Sequence, residues 1–224
     1  MKFKSFQNLK LNNDTVNDLS YFIGVLRDGC FTKKETNGIY RIRVYQKDKE
    51  FIEMLFKKLT NFLIKKPIIN LDSRTGVWCL SINSKGIYEE IVKLSEYPGS
   101  QKDWITPKWI LSFCDSVKKE YVKGFFDAEG GVPHLDEKKF KNKNINIYFS
   151  QGNKEVLEEL KFIINNFGIK TGKVCGPYYK KGYENPQYAL KIHGINQVVK
   201  FYNIFDSNHP LKIKRLNLIR NLSK

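Results

Sequence analysis

Two short stretches a hundred residues apart end an apolar run on a carboxylate followed by glycine. Residues 21–31 read YFIGVLRDGCF and residues 122–132 read VKGFFDAEGGV. A glycine just past a helix end is ordinary C-cap chemistry. An acid in the last turn is not, because the helix dipole is partly negative there and a carboxylate costs a few tenths to about 1 kcal/mol. Doing this twice, at Asp28 and Glu129, points to two carboxylates that meet and are held by positive charge. Paired carboxylates at one helix junction form an oxygen-donor site for a hard cation such as Mg²⁺, which retains waters and accepts substrate phosphates. Beside a phosphodiester, such a cation lowers the pKa of a water and stabilises the leaving 3′-oxygen. One acid–glycine pair is a common turn signal, so the weight rests on the segments downstream of each copy.

Those segments are duplicated too. Residues 40–63 (YRIRVYQKDKEFIEMLFKKLTNFL) match residues 145–169 (INIYFSQGNKEVLEELKFIINNFGI), aligning Gln46 with Gln151 and Lys49-Glu50 with Lys154-Glu155. Further on, VWCLSI (77–82) matches QYALKI (187–192). The offset drifts from 101 residues at the acids to 105 at the glutamines and 110 at Leu80 and Leu190, as small loop insertions in the second copy require. A repeat of this length is two fused subdomains rather than a solenoid unit.

These residues resemble the single-chain, two-motif LAGLIDADG homing endonucleases, particularly those of archaeal introns. Residues 122–130, VKGFFDAEG, match the nine-residue signature in register, and the resemblance extends over nearly the whole chain. The first copy departs from it: aligned on the acid, Gly24 stands one position later than Gly124. The resemblance implies an α+β fold of two pseudo-symmetric αββαββα-type subdomains, with motif helices at their interface and antiparallel sheets forming a DNA-binding saddle. It implies a site-specific double-strand DNA endonuclease cutting a long asymmetric target to leave short 3′ overhangs. Asp28 and Glu129 would bind metal with the backbone carbonyls of Arg27 and Ala128, and Gln46 and Gln151 would order waters. Mg²⁺ or Mn²⁺ would support cleavage, and Ca²⁺ binding alone. Basic residues near the phosphates would complete the site: Lys47, Lys108, and Lys212 or Lys214, with Lys191 a weaker candidate. The alternative is an RNA maturase or a non-cleaving DNA-binding regulator on the same scaffold; loss of either acid would favour it, and both acids are present. No splicing block surrounds the chain, so a free-standing intron-encoded enzyme is expected rather than an intein.

Composition fits a nucleic-acid partner. The 224 residues carry 39 Lys+Arg against 23 Asp+Glu, net +16, with a pI near 9.6, which passes the usual threshold for a basic nucleic-acid binder. The charge is spread through strands and helices instead of forming a polybasic block beside an apolar segment, unlike a membrane-surface protein. No apolar run reaches the length of a spanning helix, and MKFKSFQNLK lacks a signal-peptide core. The four cysteines are far apart with no metal-ligand spacing and are expected to be buried, reduced thiols of a cytoplasmic protein, the host being prokaryotic. A monomer with no obligate protein partner is expected.

The elements that position the acids can be read from periodicity. Subdomains are expected at 1–96 and 115–224, joined by a linker and lead-in helix at 97–114. A helix capped by Asp14 or Thr15 should run to Asp28, and one capped near Asp115 or Ser116 should carry the second motif. In residues 40–46, Ile42 and Val44 alternate with Arg41, Arg43 and Tyr45. In residues 144–150, Ile145, Ile147 and Phe149 alternate with Asn144, Asn146, Tyr148 and Ser150. Each sheet thus has an apolar face for helices and a polar face, the latter suited to major-groove readout by pairings such as arginine to guanine, with Arg43 as one expected reader. Histidines 134, 193 and 209 are expected at the surface or in turns, Asp127 facing away from the motif acids, and Trp104 and Trp109 packing the linker onto the body.

Overall fold

A computed structural model describes residues 6–134, 145–179 and 186–223. The first half runs α1 (Thr15–Val25), a 3₁₀ turn (Leu26–Asp28), β1 (Cys30–Lys34), β2 (Ile39–Gln46), α2 (Lys49–Phe62), β3 (Ile68–Asp72), β4 (Val77–Asn83) and α3 (Lys85–Ser95). After α4 (Lys108–Ser112), the second half repeats the plan. Its elements are α5 (Asp115–Glu129), β5 (Gly130–Gly131), β6 (Asn146–Gln151), α6 (Lys154–Asn166), β7 (Cys175–Tyr178), β8 (Gln187–His193), α7 (Ile195–Phe205) and α8 (Pro210–Leu222). Two antiparallel four-stranded sheets result, ordered β1-β2-β4-β3 and β5-β6-β8-β7, in an α+β fold.

The repeat holds at single-residue register in the central strand pairs, while the outer β7–β8 pair carries a shift between Cys175 and Tyr178 that β3–β4 lacks. Gln46 pairs with Trp78 and Arg41 with Asn83; Gln151 pairs with Tyr188 and Asn146 with His193. Helix caps repeat as well: Asp48 accepts from Phe51 N at 3.1 Å, and Asn153 accepts from Glu155 N at 2.8 Å. These side chains satisfy amides that have no intrahelical partner. Elsewhere the capping differs from expectation. Asp14 makes no side-chain cap bond; Asn12 Oδ1 instead accepts from the amides of Asp14 and Thr15 at 2.9 Å each. Cys114, rather than Asp115 or Ser116, stands at the start of α5, and the cysteines are not the buried set expected: Cys114 and Cys175 are exposed, Cys30 and Cys79 half-buried.

Strand alternation sorts as the period of two requires. Ile42, Val44, Leu80 and Ile82 are buried under α2 and α3, and Ile147, Phe149, Leu190 and Ile192 under α6 and α7. On the opposite faces Tyr45 and Tyr148 are 40% and 41% exposed. Ser81 is the exception on the polar face, being buried with its hydroxyl bonded to Asn83.

Helices α1 and α5 form the most intimate helix pair, packed between the two halves. Glycines permit it. A Cβ on Gly24 would overlap the Tyr121 carbonyl and the Phe125 amide, and one on Gly124 would overlap the Tyr21 carbonyl. Backbone therefore meets backbone at the crossing, which only residues without side chains allow.

The displaced glycine of the first motif is explained by how α1 ends. Gly24 precedes its acid by four residues, the last three wound as a 3₁₀ turn, whereas Gly124 precedes Glu129 by five α-helical residues. With ~1.5 Å rise per α residue and ~2.0 Å per 3₁₀ residue, both paths cover about 7.5 Å. The tighter winding absorbs the missing residue and brings both acids to the same level.

Candidate active site

Asp28 and Glu129 meet where α1 and α5 end. Burial and the neighbouring Asp28 carboxylate push the Glu129 carboxyl up to about 8. Asp28 stays open to solvent along one side. Protein around it displaces enough water to raise its carboxyl to about 6, while the Lys212 ammonium pulls the other way. Water still reaches Asp28, so its charged form is the better tolerated of the two. Like charges brought together out of bulk water repel, and a cation relieves the cost.

Part of that positive charge comes from α8. Lys212 Nζ donates to the carbonyls of Phe126 at 2.5 Å and Asp127 at 2.8 Å, capping the C-terminal turn of α5. It also lies within electrostatic reach of Asp28, Glu129 and Asp127, though burial draws its own pKa down to about 8. Cations are favoured at helix C-termini. Of the five lysines expected near the phosphates, Lys212 is the one joined to the acids. Lys214 lies on the other side of α8, lining a cleft of about 250 Å³ with His134, Leu211, Arg215 and Leu218. Lys108 is exposed at the start of α4, its backbone amide bonded to the Glu96 carboxylate. Lys47 is exposed just past β2.

Gln151 is 9% exposed at the end of β6, and its Nε2 lies 3.4 Å from Glu129 Oε1 and 3.5 Å from the Arg27 carbonyl. One amide thus touches an acid of its own half and the backbone beside the acid of the other. Gln46 occupies the matching end of β2, half-buried. Ala128 lies in the last turn of α5, where carbonyls lack intrahelical donors.

The Arg27 side chain has a role that sequence did not disclose. Its Nη1 donates to the Trp104 carbonyl at 2.6 Å, and its Nη2 to the Ile105 carbonyl at 2.7 Å and the Tyr121 hydroxyl at 2.8 Å. The guanidinium also sits 4.0 Å from the centre of the Trp104 ring. Trp104 is fully buried and Trp109 nearly so, holding the linker against the body.

A second buried network was equally hidden. Asp127 faces away from the motif acids and is 0% exposed. It accepts from Tyr21 Oη at 2.7 Å, Ser207 Oγ at 2.5 Å and the Asn208 amide at 2.8 Å. These bonds join α1, α5 and the turn before α8, and so seat Lys212. His209 closes the same turn. It is a turn histidine, as expected, but a buried one: it is 8% exposed and stacked on Phe51 with ring centres 4.9 Å apart, and burial draws it down to about 4. The signal for both networks was absent because every partner lies far away in sequence.

On the polar sheet faces, Arg41, Arg43 and Tyr45 share one side of β2; Asn146, Tyr148 and Ser150 share one side of β6, with Lys191 opposite Tyr148. Asn144 lies outside the described residues. Among the described residues, no cluster of three or more His, Cys, Asp or Glu is placed to hold a metal. The donor set at the helix junction is two carboxylates with nearby backbone carbonyls. That suits a hard divalent ion whose remaining positions are filled by water and phosphate, and not a closed structural metal centre.

Residues 116–205 match the family model described as a LAGLIDADG-like domain. The homing endonuclease I-ApeI of Aeropyrum pernix is 27% identical over 203 residues, covering 89% of this chain and 85% of that protein. The crystal structure of I-DmoI in complex with DNA and Ca superposes with a TM-score of 0.62 at 18% identity, covering 92% of this chain and all of the other. That of I-DmoI in complex with DNA and Mn gives 0.59 at 20% identity, covering 87% and 99%. No helix among the described residues is long and apolar enough to cross a membrane.

Proposed function

We propose that this chain, whose likeness to the LAGLIDADG homing endonucleases runs through both halves, is a site-specific DNA endonuclease. It hydrolyses both strands of a long asymmetric duplex, leaving short 3′ overhangs. The observation that carries this reading is the meeting of Asp28 and Glu129 at the α1–α5 junction, one acid from each pseudo-equivalent half.

The chain's own residues divide the work. Asp28 and Glu129 supply hard oxygen donors, one for each strand, with the Arg27 and Ala128 carbonyls beside them. A divalent ion held there, Mg²⁺ or Mn²⁺, supplies Lewis acidity at the phosphate and lowers the pKa of a water; Ca²⁺ supports binding without cleavage. Gln151, anchored between Glu129 and the Arg27 carbonyl, orients a water toward one strand. Gln46 does so for the other. Lys212 brings an ammonium to the charge that develops on phosphate, where fixed dipoles and charges act most strongly. The polar faces of the two sheets read the flanking sequence, and the net charge of +16 supplies salt-dependent affinity for the backbone. The protein acts as a monomer in the cytoplasm of a prokaryotic host, because one chain holds both half-sites.

The test is cleavage of a randomised duplex library with Mg²⁺, followed by sequencing of the ends. A single enriched site with short 3′ overhangs, lost in Glu129→Gln, is the expected result. Binding without cutting by the wild-type chain would reassign it to a DNA-binding regulator.

A further inference from the structure

The two arginines on the first sheet face differ in which of their donors are free. Arg41 sits opposite Asn83 in the β2–β4 ladder, and its Nε donates to Asn83 Oδ1 at 2.7 Å. The same oxygen accepts from Ser81 Oγ at 3.2 Å, and Lys65 Nζ donates to the Asn83 backbone carbonyl at 3.0 Å. Two donors converging on Oδ1 fix the orientation of the amide. With Nε so engaged, the terminal Nη1 and Nη2 are left to the cleft of about 440 Å³ that Arg41 lines with Tyr40, Lys65, Asn83 and Lys85.

Arg43 is placed otherwise. Its Nη2 donates to Thr32 Oγ1 at 3.1 Å, its Nε is buried without a partner, and its guanidinium lies 5.6 Å from the centre of the Tyr45 ring. A guanine edge presents O6 and N7 side by side and is matched by two parallel N–H donors. Arg41 keeps such a pair. Arg43 has one terminal nitrogen engaged and its Nε shut away from solvent.

Resting on the DNA-cleaving function above, we propose that Arg41, positioned by Asn83, reads a guanine in one half-site, and that Arg43 makes no bidentate base contact. Arg41 stands five residues from Gln46 along β2, about 17 Å at ~3.4 Å per residue. The guanine therefore falls about five base-pair rises outward from the cut, at ~3.4 Å per step. The pseudo-equivalent pair in the second half is Asn146 opposite His193, so this contact belongs to one half-site only.

The experiment selects bound sequences from a randomised duplex library with the wild-type chain. Binding of every single-base variant of the selected site is then measured for Arg41→Ala, Arg41→Lys, Arg43→Ala and Asn83→Ala. Arg41→Ala should flatten discrimination at one G·C pair by about 5- to 150-fold. Arg41→Lys should lose most of it too, because an ammonium cannot replace the fork. Asn83→Ala should weaken preference at that same pair by a smaller factor, about three- to tenfold, a signature that general loosening of the sheet would not give. Arg43→Ala should leave that pair within about twofold. A uniform loss across all variants in Arg41→Ala, with a shallower salt dependence, would put Arg41 on a phosphate in this basic cleft and overturn the inference. So would loss of the guanine preference in Arg43→Ala alone. A wild-type chain that selects no sequence would instead remove the DNA-cleaving function on which the inference rests.

Discussion

The two halves share the register of their central strand pairs, and the caps of α2 and α6 coincide, yet they deliver their acids by different routes. The second motif stays α-helical to Glu129 and buries its carboxyl, and β5 after it is only two residues long. The first tightens into a 3₁₀ turn, leaves Asp28 open on one side, and continues into a five-residue β1. Glu129 is pushed up to about 8 and Asp28 to about 6. What has to be the same in both halves is where the carboxylate arrives; the winding that brings it there is free to vary. The family model covers only residues 116–205, the half in which the motif keeps its register.

If the two acids are equivalent in kind, Asp28→Asn and Glu129→Gln should each abolish double-strand cleavage. The expected drop exceeds the roughly 100-fold loss typical of outer-sphere partners, while specific binding is retained. A wild-type rate of double-strand breakage in either variant would break the comparison.

The helix crossing should be as intolerant on one side as on the other. Gly24→Ala and Gly124→Ala both drive a methyl into the facing backbone. Such overpacking should cost about 3 kcal/mol, the upper end of the usual range because the facing atoms are backbone, read as a lowered denaturation midpoint at unchanged m-value. A neutral Gly24→Ala would mean that α1 slides along α5 more freely than the crossing allows.

The glutamines should sharpen the asymmetry. Gln151→Ala removes an amide that touches both Glu129 and the Arg27 carbonyl. It should slow cleavage of its strand roughly 10- to 100-fold, and Gln46→Ala should slow the other strand less. Strand-resolved kinetics separates the two, and a changed target preference at unchanged rate would make them base readers.

The smallest effect is on stability against pH without metal. A carboxyl whose folded pKa is raised binds more protons in the folded than in the unfolded state, so stability falls as pH rises between the two values. His209, drawn down to about 4, acts oppositely below its unfolded value of 6.5, and Lys212, drawn down to about 8, acts oppositely above 8. Between pH 6.5 and 8 Glu129 therefore acts without opposition from either, and the buried Asp127 carboxyl, also raised by burial, acts in the same direction. In EDTA the wild-type chain should lose more stability across that window than Glu129→Gln. Even half of the lift on Glu129 is worth about 2 kcal/mol. Adding Mg²⁺ should remove the slope, since an ion that binds the folded state stabilises it. A wild-type slope equal to that of Glu129→Gln would mean the acids are not crowded together.

Local pattern sufficed for what local pattern determines. Alternation in residues 40–46 and 145–150 separated core from polar face, and the 105- and 110-residue offsets reappear in the β2–β4 and β6–β8 pairings. The resemblance singled out both acids, and the structure brings them together. The Arg27–Trp104 stack, the Asp127–Tyr21–Ser207 network and the burial of His209 were not legible. Each depends on partners 77 to 106 residues apart, or on a ring from the opposite half. The choice of Lys212 over Lys214 also needed α8 in place, because neighbouring residues on a helix point in different directions.

The order in which this site comes into being is set by Lys212. A chain that has emerged from the ribosome as far as residue 200 already has both carboxylates, both glutamines and both sheets. It lacks the ammonium that caps α5 and the Ser207–Asn208 turn that ties Asp127. Its acids face each other without that compensation until α8 is in place. Assembly of the acid pair is thus coupled to the docking of α8, and a chain cut short before Pro210 would hold both carboxylates without the charge that offsets them.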